Sequence, residues 1–96
     1  MATVRITYWR GIPVLVTARD DQGEVTVPLS QRFQDLVDAV AVLSGLGESD
    51  AYLAEWRTGP EEHRGGPAGA AAADVAAGLE ERFDDVRAEN FRPGGP

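Results

Sequence analysis

From Thr3 the chain alternates, with Val4, Ile6 and Tyr8 set against Arg5, Thr7 and Trp9, which is the period-two pattern of a strand with one buried face. Gly11, Ile12 and Pro13 interrupt it. Glycine takes positive φ freely and proline cannot donate to a ladder, so a tight turn or bulge is predicted there. Val14 to Arg19 is rich in β-branched residues and runs into Asp20, Asp21, Gln22 and Gly23, whose glycine suits the left-handed position of a short hairpin loop. Glu24 to Val27 reads as a third strand, ended by Pro28.

The period then changes. Ser30 is a suitable N-cap, and Phe33, Leu36, Val37, Val40 and Leu43 follow at the three, four and seven spacing of a helix that buries one stripe, with Ser44 and Gly45 stopping it. Asp35 and Asp38 fall on the opposite face. Ser49 to Arg57 fits two patterns, since Tyr52, Leu53 and Trp56 suit one helical turn while Tyr52, Ala54 and Trp56 alternate. We read a strand there, with room for a single helical turn ahead of it. Thr58 to Pro67 carries Pro60, Gly65, Gly66 and Pro67 among charged residues and reads as an exposed loop. Ala68 to Val86 is an alanine-rich second helix with Ala72, Val75, Ala76, Leu79, Phe83 and Val86 on one stripe. The order β-β-β-α-β-α predicts an α+β fold: a small two-layer sandwich of an antiparallel sheet with two helices on one face, the other face left partly open. Residues 1–89 form one domain in this reading, and 90–96 a flexible C-terminal tail.

Composition narrows the chemistry. In 96 residues there is no cysteine and one histidine, which on this chain alone excludes thiolate-held clusters, redox pairs and a cysteine nucleophile. All nine basic residues are arginine, so lysine chemistry is excluded as well. Sixteen acids bring the net charge to −7. Most of that excess lies in the second half, whereas residues 1–19 hold Arg5, Arg10 and Arg19 and no acid. This basic footprint is too narrow for a duplex-binding module, so no nucleic-acid partner is expected. No apolar run approaches the roughly 20 residues of a bilayer span, and the N-terminus shows no basic region followed by an apolar one. The expectation is a cytoplasmic protein without a membrane partner.

Catalytic constellations do not emerge. The acid pairs Asp20–Asp21, Glu61–Glu62, Glu80–Glu81 and Asp84–Asp85 are sequence neighbours whose side chains diverge, and His63 stands in a loop with two glutamates, a poor metal set. No enzyme activity, metal or cofactor is expected. The densest cluster is Trp9, Arg10, Ile12 and Pro13, echoed by Trp56 and Arg57. Aromatic rings with arginine are the composition of interface hot spots, so these six residues are the candidate partner-binding set, although the tryptophans also suit a thin core. Arg32 opposes the dipole in the first turn of its helix and calls for a carboxylate: Glu24, a residue near Asp50, or an external anion. If Arg10, Arg32 and Arg57 converge, they form an alternative anion site for a carboxylate or phosphate. A third reading covers the open sheet face with a second copy, giving a homodimer.

At YWRGIP (Tyr8, Trp9, Arg10, Ile12, Pro13), at Arg32 and Phe33 within LSQRFQDLVDAV, and at DAYLAEWR (Asp50, Tyr52, Leu53, Trp56, Arg57), the chain resembles the small bacterial virulence factor domain family. The same domain forms the C-terminal part of conserved virulence factor C proteins. The resemblance spans nearly the whole chain. It departs at Gly11, where many members carry aspartate, and at Val14 and Leu15. It implies an accessory domain, which in longer members is appended to an iron–sulfur scaffold-like segment and helical repeats, and which as a single domain occurs beside folate and corrinoid one-carbon enzymes. The leading expectation is therefore a non-catalytic domain that docks on a larger enzyme or on an iron–sulfur or one-carbon assembly.

Overall fold

A computed structural model describes residues 1–45 and 50–90. Strands β1 (Ala2–Trp9), β2 (Ile12–Asp20) and β3 (Gly23–Pro28) form an antiparallel meander, followed by helix α1 (Gln31–Leu43) and a short helix α2 (Asp50–Ala54). Then come β4 (Trp56–Thr58), β5 (Glu62–Arg64), α3 (Ala68–Glu81) and α4 (Phe83–Asn90). Strands β4 and β5 both pair antiparallel with β1, giving a five-stranded sheet in the order β3-β2-β1-β4, with β5 beside the start of β1. The α+β class and the antiparallel sheet stand as the sequence predicts.

Four local differences have physical causes. The expected loop 58–67 contains β5, because Glu62, His63 and Arg64 find open backbone partners along Val4, Thr3 and Ala2. The single long helix is two, broken at Arg82, whose N–H turns back to the carbonyl of Leu79. The ambiguous segment holds both readings in succession, the helix α2 and then the strand β4, with Ser49 outside the described residues. Asn90 belongs to α4 rather than to a tail, its side-chain amide donating to the Val86 carbonyl, while 91–96 lie outside the described residues.

The core lies between the sheet and the helices. Val4, Val16 and Ala18 from the sheet meet Ala68, Ala71, Ala72, Val75 and Ala76 of α3, and Phe33, Leu36, Val37, Val40 and Ala41 of α1 complete the cluster. Alanines let α3 sit close to the strands. Leu43, predicted in the buried stripe of α1, is instead 60% exposed, and Ala41 takes the inward position. Ser30 does not cap its own helix either: its N–H and hydroxyl both donate to the carboxylate of Glu80, at 2.6 and 2.7 Å. Arg32 donates to the same carboxylate at 3.1 Å and to the Glu80 carbonyl at 2.6 Å, so the carboxylate it calls for comes from the end of α3. Partial burial works against ionisation of Glu80. Hydrogen bonds from Ser30 and Arg32 outweigh it and hold the group below the usual glutamate range.

Candidate functional site

The tip of the β1–β2 hairpin organises the aromatic and arginine residues. Thr7 faces Leu15 but Tyr8 faces Pro13, so Val14 is an extra residue that bulges β2, and its free carbonyl accepts the Leu29 N–H at 2.9 Å as the chain leaves β3. Beyond the bulge Trp9 pairs with Ile12, leaving Arg10 and Gly11 as a two-residue loop. The positive φ falls on Arg10, at 55°, and not on Gly11 as its residue type suggests. A left-handed conformation costs a non-glycine residue about 1–2 kcal/mol. Contacts hold Arg10 there. Its N–H donates to the Glu55 carbonyl at 3.1 Å, its Nε lies 3.4 Å from the Glu55 carboxylate, its Nη1 donates to Ser44 Oγ at 3.2 Å, and its guanidinium lies 5.4 Å from the Trp9 ring centre.

Gly11 sits beside the end of α4. A Cβ there would lie 3.1 Å from Asn90 Oδ1, so the end of α4 closes on the tip from that side. Alternation turns Tyr8 and Trp9 to opposite sides. Tyr8 and Pro13 line a cleft with Leu79, Arg82 and Val86 of the α3–α4 layer. Trp9 enters the core, fully buried, with its ring 5.4 Å from Tyr52 and its Nε1–H donating to the Tyr52 carbonyl at 2.9 Å. Trp9 and Trp56 are cross-strand partners and share a face, and Tyr52 of α2 packs on both, lying 6.2 Å and edge-on to Trp56.

Three of the six candidate docking residues are therefore core. Trp9 and Ile12 expose nothing and Pro13 is buried, because the folded-over α2 and the α3–α4 layer cover both sides of the tip. Trp56 is half-buried, Arg10 is half-buried and occupied by Glu55 and Ser44, and Arg57 is exposed with its guanidinium 5.9 Å from the Tyr8 ring. The alternative anion site is not assembled. Arg32 begins α1 and Arg10 grips Ser44 just past its end, a separation of about 18 Å along the axis. Arg57 lies over Tyr8, and Arg32 is spent on Glu80.

What sequence reasoning missed is a set of exposed aliphatic side chains. Val42 is 73% exposed, Leu43 60% and Leu53 65%, at the ends of the two helices that Arg10 ties together through Ser44 and Glu55. The available signal was rotation. At 100° per residue Val42 points half a turn away from Phe33 and could not join its stripe. Among the described residues no group of three or more His, Asp or Glu is placed to hold a metal, and no helix is long and apolar enough to cross a membrane.

The strain at Arg10 makes a test of whether its contacts or its backbone dominate. Arg10→Gly removes the left-handed penalty together with the side chain, whereas Arg10→Ala removes only the side chain. The glycine variant is expected to be the more stable of the two by about 1 kcal/mol, the reverse of the usual ranking in regular structure. Urea titrations of both variants check it, and an alanine variant as stable as the glycine one would show that the tip is unstrained.

A family model described as Virulence factor matches residues 7–91 of the chain. No curated protein and no solved structure matches it.

Proposed function

The chain belongs to the virulence factor family, and from that premise we propose that it is a cytoplasmic, non-catalytic interaction domain that docks on a larger protein, an enzyme or assembly of one-carbon or iron–sulfur metabolism. The observation that carries the reading is the exposure of Val42, Leu43 and Leu53, three aliphatic side chains 60–73% exposed at the ends of α1 and α2, with Met1 and Val25 the other exposed large hydrophobics among the described residues. Single exposed aliphatics are ordinary, but grouped ones mark contact surfaces. Arg10 supports this surface rather than touching the partner, because it fixes the ends of α1 and α2. Of the residues singled out in the sequence, half-buried Trp56 lies on the α2 side, whereas exposed Arg57 lies over Tyr8 on the other face of the sheet.

The test pairs Leu43→Ser/Leu53→Ser with Arg87→Gln as a control outside this surface, each first shown to fold. Capture from a lysate of the source cell is expected to retain one stoichiometric protein on the wild type and the control and to lose it on the double variant. Retention on all three would overturn the docking role of this surface. If the wild type alone shows a concentration-dependent mass near twice 10.3 kDa, lost in the double variant, the surface serves a second copy instead.

A further inference from the structure

The second face of the sheet carries a different kind of site. Strand registers place Thr3 opposite Arg19, Arg5 opposite Thr17, and Thr7 between Leu15 and Thr58, all on the side away from Val4, Val16 and Ala18. On this face Thr3, Thr7 and Thr17 are half-buried, and Arg5 and Arg19 stand exposed above them. Together with Thr58 and Glu24 they enclose a shallow trough of about 210 Å³. Arg5 and Arg19 are diagonal neighbours across the β1–β2 ladder, a spacing their long side chains can bridge.

Two like charges at that spacing repel unless something negative lies between them. Glu61 answers Arg5 from the side, and the guanidinium holds its carboxyl below the usual range. Arg19 is answered only at longer range, by the same Glu61 carboxylate. Its side chain makes no hydrogen bond or ion pair with a described residue, and the side chain of Glu24, its direct cross-strand partner, forms none with it. An anion seated over Thr17 and Thr3 would meet the Arg19 guanidinium on one flank, the Arg5 guanidinium, shared with Glu61, on the other, and hydroxyls from below.

From this juxtaposition we propose that the open sheet face is a binding site for the phosphoryl group of a small molecule, held by Arg5 and Arg19 with Thr3, Thr7 and Thr17 as its floor. Donors arriving from three directions suit a tetrahedral oxyanion better than a planar carboxylate. The trough is of small-molecule size, and the net charge of −7 repels an extended polyanion such as a duplex. The site is separate from the docking surface and does not depend on it, since its residues lie on β1, β2, β3 and β4 and none belongs to α1 or α2.

The experiment is a titration of ¹⁵N-labelled protein with inorganic phosphate at constant ionic strength, followed by amide chemical shifts. Saturable shifts are expected at Thr3, Arg5, Thr7, Thr17 and Arg19. Arg19→Gln is expected to weaken the apparent affinity about tenfold or more, since a hydrogen bond to a charged group is lost, while Arg87→Gln, on α4, leaves it unchanged. A parallel titration with ribose 5-phosphate separates the sources: tighter binding than phosphate identifies a phosphorylated metabolite, equal binding the free ion. Shifts that never saturate, that map elsewhere, or that Arg19→Gln leaves intact would overturn the site.

Discussion

Trp9→Ala is expected to lower the unfolding free energy by about 3–5 kcal/mol, the range for deleting a large buried aromatic side chain. A domain of this size has on the order of 5–14 kcal/mol in total, so the variant is expected to be largely unfolded at modest urea concentration. The size of the effect follows from position. Trp9 is the largest fully buried side chain, it fills the space between the hairpin tip and α2, and its indole N–H satisfies the carbonyl of Tyr52. Trp9→Phe helps to separate the two contributions, since it keeps an aromatic ring in the core while removing the donor and part of the ring volume. Its expected loss is about 1–2 kcal/mol, from the lost indole hydrogen bond and a smaller volume defect, since the Tyr52 carbonyl still accepts the Glu55 N–H at 3.2 Å. Urea denaturation followed by far-ultraviolet circular dichroism gives both numbers. An alanine variant with an unchanged midpoint would return Trp9 to the surface.

Phe33→Ala is expected to cost a similar amount, about 3–5 kcal/mol, for a different structural reason. Phe33 is completely buried in the first turn of α1 and meets Phe83, the first residue of α4, edge-on at 5.0 Å and 82°. Arg32 lies over both rings, 5.8 Å from Phe33 and 4.5 Å from Phe83, while its guanidinium holds the end of α3 through Glu80. Phe33 therefore ties α1 to the break at which α3 becomes α4. Phe83 is half-buried, so Phe83→Ala is expected to cost less. The double variant is expected to fall short of the sum of the two by about 0.5–1.5 kcal/mol, the coupling of an edge-to-face pair. Thermal or urea unfolding of the three variants measures it, and strict additivity would show that the rings do not interact.

The site was less legible than the fold, and the residues say why. Trp9-Arg10 and Trp56-Arg57 drew attention because their composition is that of an interface. Composition does not register that a five-residue helix, Asp50–Ala54, folds back to lay Tyr52 on both rings. The contact that buries Trp9 joins residues 43 positions apart, and nothing in the local pattern of either segment specifies it. Arg32 was legible in part. The unfavourable dipole position called for a carboxylate, but Glu80 lies 48 residues away and stood in the sequence as half of an unremarkable acid pair. Gly11 misled, since the residue best suited to positive φ does not adopt it, and Arg10 does because its side chain is gripped by Ser44 and Glu55.

The sequence by itself determined the α+β class, the antiparallel meander, the first helix and its stop, and the exclusion of thiolate and lysine chemistry. Each of these rests on local periodicity or on residues that are absent, and both are properties of the chain before it folds. Only the tertiary structure decided which aromatics are core, which arginines already have partners, and which aliphatics remain uncovered. Those outcomes depend on how layers stack and on where the strand register brings distant residues together. The alternation of Thr3, Arg5 and Thr7 predicted an outward face, but the pairing of β1 with β2 was needed to set Arg19 beside Arg5 across Thr17.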